Sequence, residues 1–144
     1  MFMDNPLPSE LTQGAILRDK EYAWELSAFL RALDIAPTLG YACLGGQFWF
    51  MLPDNTLHEP FWLEANSEDR APGELWPEYA SRSCSEVQSR FHVLVNGTDY
   101  KEEARKFQSF APVNESGELN LRVLFNAYFV TEQELNSLGL KGSV

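Results

Sequence analysis

The sequence predicts a single α+β domain over residues 1–144, a small and mostly antiparallel sheet packed by helices. Three observations carry that reading. Helical and alternating apolar periodicities occupy different segments and follow no repeating βα unit. A turn joins two extended runs directly, as a hairpin requires. The clearest extended run, near the C-terminus, is apolar on both faces and therefore belongs inside a sheet. With 144 residues, 44% of them hydrophobic, the chain can bury a core without disulfides or a structural metal.

Residues 1–10 hold Pro6 and Pro8 and few apolar groups, which predicts a flexible lead before a short extended piece near Gly14 to Leu17. In "KEYAWELSAFLRALDI" the residues Tyr22, Leu26, Phe29, Leu30 and Leu33 recur at i, i+4, i+7, i+8 and i+11, one stripe of an amphipathic helix. Asp19 is its expected cap and Pro37 its stop. Trp24 lies about 200° round such a helix from Tyr22, so it either meets another element or stands exposed. "YACLGGQFWFML" reads as a strand, "PDNT" as a turn and "LHEPFWLEA" as the returning arm. Alternation sets Phe48, Phe50 and Leu52 on one face against Trp49 and Met51 on the other. Pro60 cannot donate to a ladder, which predicts an edge or a bulge.

"ANSEDRAPGE" is a polar connector to a helix beginning near residue 75, where Pro77 costs nothing in the first turn and Trp76, Ala80, Ser83, Val87 and Phe91 form the apolar stripe. Residues 91–100 fit either a hairpin through Asn96-Gly97 or a continuation of that helix, and the longer helix is preferred. A further helix is expected over "TDYKEEARKFQSF", capped by Thr98 or Asp99, followed by a loop in "PVNESGE". "LNLRVLFNAYFV" is the central strand. "TEQELNSLG" closes as a short helix with Thr131 and Glu134 in a capping box and Gly139 at its end.

Twenty-one acids against eleven bases give a net charge of −10, which repels phosphate backbones and anionic membranes and attracts basic proteins. Direct nucleic-acid binding is disfavoured. No apolar run approaches the ~20 residues of a membrane span, and the start lacks a signal-peptide pattern, so a cytoplasmic protein with Cys43 and Cys84 as reduced thiols is expected. The acceptor strings at Asn96 and Asn114 then read as turns.

Catalytic and ligand motifs are not met. His58 and His92 are the chain's two histidines, and neither cysteine sits in a nucleophile motif. Cys43, His58, Cys84 and His92 have no metal-ligand spacing. Gly45-Gly46 completes neither a dinucleotide nor a P-loop fingerprint and reads as a bulge. The expectation is no enzyme activity, no cofactor and no metal.

One block stands out. From Asp54 to Glu78 the chain carries Asp54, Glu59, Glu64, Glu68, Asp69, Glu74 and Glu78 against one base, Arg70, with Trp49, Trp62, Trp76 and Tyr79 interleaved. Phenylalanines 48, 50 and 61 with Trp49 are assigned to the core. Trp62, Glu64, Glu68, Asp69, Glu74, Trp76, Glu78 and Tyr79 are the candidate partner-binding residues, because aromatic anchors ringed by carboxylates suit a basic partner. In size, charge and this acidic block the chain resembles, by type, the small immunity proteins that bacteria make against polymorphic or contact-dependent toxins. That resemblance implies binding and neutralisation of one cognate toxin domain, often a basic nuclease, and assigns no residue. The alternatives are a small-molecule or peptide-binding module whose pocket is flanked by Trp49 and Trp62, and an enzyme with a histidine in a cleft near a thiol or carboxylate.

Overall fold

The computed structural model describes residues 6–106 and 120–138. Within them the chain forms β1 (Ala15–Arg18), β2 (Glu21–Glu25), α1 (Leu26–Ile35), a 3-10 turn (Ala36–Leu39), β3 (Ala42–Met51), β4 (Leu57–His58), β5 (Glu64–Asn66), α2 (Trp76–Gly97), α3 (Tyr100–Ala104), β6 (Arg122–Val130) and α4 (Glu132–Ser137). All strand pairs are antiparallel, in the order β1-β2-β6-β3-β4, with β5 also on β3. This is the single-domain α+β fold that the sequence predicts.

Beyond α2, the helix expected over residues 98–110 forms only as α3, with Asp99 accepting the Glu102 N–H at 3.1 Å; residues 107–110, the loop at 112–118, Asn114, Gly139 and the first five residues of the lead lie outside the described residues. The rest of the lead is anchored. Leu7 is buried, and its N–H donates to the Tyr22 hydroxyl at 3.4 Å.

The first helix begins later than its periodicity predicts. Residues 21–25 are strand β2, with Tyr22 and Trp24 turned to the helices and Ala23 to the opposite face. Asp19 and Lys20 both adopt positive φ, 52° and 68°, the backbone of a tight hairpin turn that joins β1 to β2. Asp19 is therefore a turn residue and no cap. Trp24 is fully buried, with its indole N–H on the Leu11 carbonyl at 2.7 Å.

Helices α1 and α2 cover one sheet face. Phe29 of α1 is the hub there, with ring centroids 5.0 Å from Phe91, 4.7 Å from Phe125 and 5.9 Å from Trp24. Such tilted aromatic contacts add attraction beyond area burial. On the other face Trp49, Met51, Leu124 and Ala23 form a second cluster, with Ile16 of β1 and Leu57 of β4 packed on it. Those two strands are opposite edges of the sheet, so the sheet must curl for both to reach one cluster. Arg18 at the end of β1 donates to the Asn55 carbonyl in the β3–β4 turn at 2.9 Å and ties the edges together.

Beta-strand β3 bends at a bulge between Cys43 and Gly45, where Gly45 holds φ +117° and Gly46 lies against β6 so closely that a Cβ would stand 1.9 Å from the Asn126 carbonyl oxygen. Only glycine fits there. The backbone groups of Cys43 beyond the end of β5 are taken by two serines: the buried Ser83 hydroxyl accepts its N–H at 3.1 Å, and the Ser67 hydroxyl donates to its carbonyl at 2.7 Å. Asn96-Gly97 lies in the last turn of α2, so the longer helix is observed and the expected turn at Asn96 is not.

Candidate functional site

The acidic connector is laced to α2. Arg82 of α2 grips Glu74 through Nε at 2.7 Å and Nη2 at 2.8 Å, reaches Glu86 at 2.9 Å and donates to the Asp69 carbonyl at 3.1 Å. Arg90, two turns further on, meets Glu68 at 3.1 Å and the Asn66 carbonyl. Arg70 bonds to Glu132 at 2.8 Å and lies 5.2 Å from the Trp76 ring. The Arg82 guanidinium, seconded by the Ala71 N–H, holds the Glu74 carboxyl down to about 2. Glu74 is thus a clasp.

Two members of the candidate set are engaged inside the fold. Tyr79 is 2% exposed, its ring under Arg82 at 5.2 Å, and burial raises its hydroxyl pKa. Trp76 is half-buried with its indole N–H on the Gly40 carbonyl at 3.0 Å, packed with Ala42 and Val130. Glu78 stays exposed at the start of α2, where its carboxylate accepts the Leu75 N–H at 3.4 Å. Glu64, Glu68 and Asp69 are exposed as well.

Trp62 is where aromatic surface remains. Pro60 is buried and ends the β4 pairing as a missing N–H dictates, so Phe61 and Trp62 are carried on a corner outside the ladder before β5 resumes. Phe61 is 67% exposed, which corrects its assignment to the core, and Trp62 is 41% exposed. Their rings meet edge to face at 5.1 Å. Trp62 is also held from behind: its indole N–H donates to Glu103 of α3 at 2.7 Å, and the Lys106 ammonium lies 5.4 Å from its ring. The indole N–H and Lys106 hold the Glu103 carboxyl below its usual range. An aromatic already fixed in place binds with a smaller entropic cost than a mobile one.

Beside this corner a cleft of about 160 Å³ opens on the sheet face turned away from the helices. Its lining is Leu44, Gly45, Gly46, Gln47, Glu64, Asn66 and Tyr128. The bulge shapes it, because two adjacent glycines put bare backbone where side chains would otherwise fill the space. Gln47 Nε2 donates to Glu59 at 3.1 Å, Asn66 Nδ2 donates to Glu64, and the Tyr128 hydroxyl donates to Glu21 at 3.2 Å. Burial and the neighbouring Glu21 and Glu59 charges push the Tyr128 hydroxyl up to about 12. The cleft therefore carries a negative field.

Trp49 and Trp62 do not flank one cavity: Trp49 is buried in the cluster under the curled sheet, whereas Trp62 docks on α3. His92 is exposed on α2, His58 half-buried on β4, and neither lines the cleft. Cys43 and Cys84 are free thiols in the core, and burial raises both, Cys84 to about 12. Among the described residues no group of three or more His, Cys, Asp or Glu could hold a metal ion, and no helix is long and apolar enough to cross a membrane.

The cleft was not visible in the sequence, since Gln47, Glu64, Asn66 and Tyr128 come from three strands. Nor was the clasp, because Arg82 and Arg90 lie outside the acidic block that they neutralise. Their spacing with Glu86, at i, i+4 and i+8, was the available signal for one charged face of α2. No family profile matches the chain, and no curated protein or solved structure matches it either.

Proposed function

We propose that this chain is a non-enzymatic protein-binding domain that engages a basic protein through the Phe61–Trp62 corner and its carboxylate surround, and that its role is that of an immunity protein neutralising a cognate toxin domain in the cytoplasm. The observation that carries the reading is the corner itself. Two adjacent aromatics are exposed at 67% and 41%, one of them braced by α3, and Glu59 and Glu64 stand two residues to either side. Tryptophan anchors of this kind dominate interface energetics, and acidic rims speed the approach of a basic partner. The net charge of −10 points the same way. The second reading, a small-molecule site, has less support, because about 160 Å³ falls below the ~300–1,000 Å³ of pockets that enclose such ligands.

The test is co-expression with the proteins encoded by the adjacent genes, among which the reading expects a basic toxin domain, followed by calorimetry and stopped-flow binding. Truncating the corner with Phe61→Ser and Trp62→Ala should cost about 2 kcal/mol or more of binding. Charge reversal at Glu59 and Glu64 should slow association and flatten its salt dependence. Glu74 is unsuitable for reversal, since it would break the clasp to Arg82. Unaltered binding by both variants, or no binding by the wild type, defeats the reading.

A further inference from the structure

The chain has two cysteines, and the fold brings them together from different elements. Cys43 lies at the start of β3, next to the bulge, and Cys84 on the buried side of α2. Both are free, and both belong to the main core cluster. Strand and helix are fastened to each other at this level. The Cys43 N–H donates to Ser83 Oγ at 3.1 Å, and the Cys84 thiol donates to the Tyr41 carbonyl at 4.0 Å. The Cys84 sulfur also approaches the Cys43 N–H, and it is near enough to the Cys43 sulfur for a charge on one to act on the other. A disulfide joins Cα atoms about 4.4–6.8 Å apart, and a sulfur of one residue lying on the backbone N–H of the other sets the two at that order of separation. On the far side the Ser67 hydroxyl holds the Cys43 carbonyl at 2.7 Å, so the strand residue is fixed from both ends.

We propose that Cys43 and Cys84 are a latent disulfide pair, which a low-molecular-weight disulfide such as oxidised glutathione closes as the chain folds, stapling α2 to the bulge of β3. One protein thiolate attacks the S–S bond of the oxidant and expels a glutathione thiolate; the second protein thiolate attacks the mixed disulfide at the protein sulfur and expels the other. Two protein thiols and one oxidised glutathione give one protein disulfide and two reduced glutathiones, which carry away both protons. Folding is the time for this step, because burial in the finished core raises both thiols and keeps the thiolate scarce. In the unfolded chain each thiol is in water and reactive, and the native packing then selects the partner sulfur over a second glutathione. The ring so closed contains the Phe61–Trp62 corner and the whole acidic connector. Oxidation therefore ties both ends of that surface to the core, yet the bond itself is independent of the protein-binding reading and needs no partner.

The experiment refolds the full reduced chain in glutathione buffers of graded poise, beside the same buffers with urea above the unfolding transition. Samples quenched in acid are read by intact mass, for the loss of two hydrogens, and by peptide mapping, for a Cys43–Cys84 link. The intramolecular bond should be favoured at least about thirtyfold in the folded chain over the unfolded one, as a native disulfide that stabilises its fold requires. By the same cycle the oxidised chain should unfold at a higher urea concentration than the reduced chain. Equal oxidation with and without urea, glutathione adducts or linked dimers in place of the internal bond, or an oxidised chain no more stable than the reduced one overturns the proposal. The comparison uses wild type throughout, so it does not depend on a cysteine variant that folds.

Discussion

Replacing Gly46 by alanine tests the strand register on which both the sheet and the cleft depend. The new Cβ would stand 1.9 Å from the Asn126 carbonyl oxygen and 2.7 Å from the Ala127 Cα, where ordinary contact begins at 3.4 Å. The obstacles are backbone, so no side chain can swing aside. Beta-strands β3 and β6 must separate by roughly 1.5 Å, enough to stretch neighbouring ladder hydrogen bonds past their working range. Two bonds weakened at about 1 kcal/mol each, plus about 1–3 kcal/mol of overpacking, give a loss of about 3–5 kcal/mol. Gly40→Ala is the control: its φ is +83° and nothing lies within 4 Å, so only left-handed backbone strain of about 1–2 kcal/mol is expected. Urea unfolding followed by the fluorescence of the buried Trp24 and Trp49 reads both. With a slope of about 2 kcal/mol per molar, that difference of about 1–4 kcal/mol should make the Gly46 variant unfold about 0.5–2 M earlier than the Gly40 variant. Equal midpoints would refute the close approach of β3 to β6.

Ser83→Ala should destabilise the chain by about 1–3 kcal/mol in the same assay, because the buried Cys43 N–H loses its acceptor; a neutral result would mean that the bulge is satisfied otherwise. Acid should loosen the connector. The Glu74 carboxyl, lowered from 4.5 to about 2, contributes stability that is complete above 4.5 and is lost as pH falls through 2. The urea midpoint should therefore drop across that window, and less so in Arg82→Met; an identical slope in the variant would contradict the clasp. Both thiols should resist a thiol reagent near pH 8 in the folded chain and react fully in denaturant, as burial holds Cys43 and Cys84 protonated. Rapid labelling of the folded protein would contradict their packing.

The elements that were legible in the sequence are those in which local chemistry and tertiary packing agree. Beta-strand β6 is apolar on both faces because it lies between β2 and β3, and the Thr131–Glu134 capping box is written in adjacent residues. The start of α1 was not legible. Tyr22 and Leu26 mimic a helical pair, and the Asp19–Lys20 turn uses positive φ without the Asn-Gly signature that announces such turns. At the site, Trp62 could be singled out from its proline and acidic neighbours. Phe61 could not, since its exposure follows from Pro60 interrupting the ladder. Charge counting along the chain also overstated the free acidity of residues 64–78, because three-dimensional pairing brings Arg82 and Arg90 back from α2.

The most direct test of the central claim is whether the purified chain binds a domain encoded by an adjacent gene, and with what affinity, measured with wild type and with the Phe61→Ser, Trp62→Ala variant. Phe61 lies largely in solvent, whereas Trp62 is 41% exposed and loses its bond to Glu103 in the variant, so the urea midpoint is measured beside the affinity to show that the variant is folded. Its affinity should fall by about thirtyfold or more, the equivalent of about 2 kcal/mol. A variant that folds and binds as tightly as wild type would contradict the account.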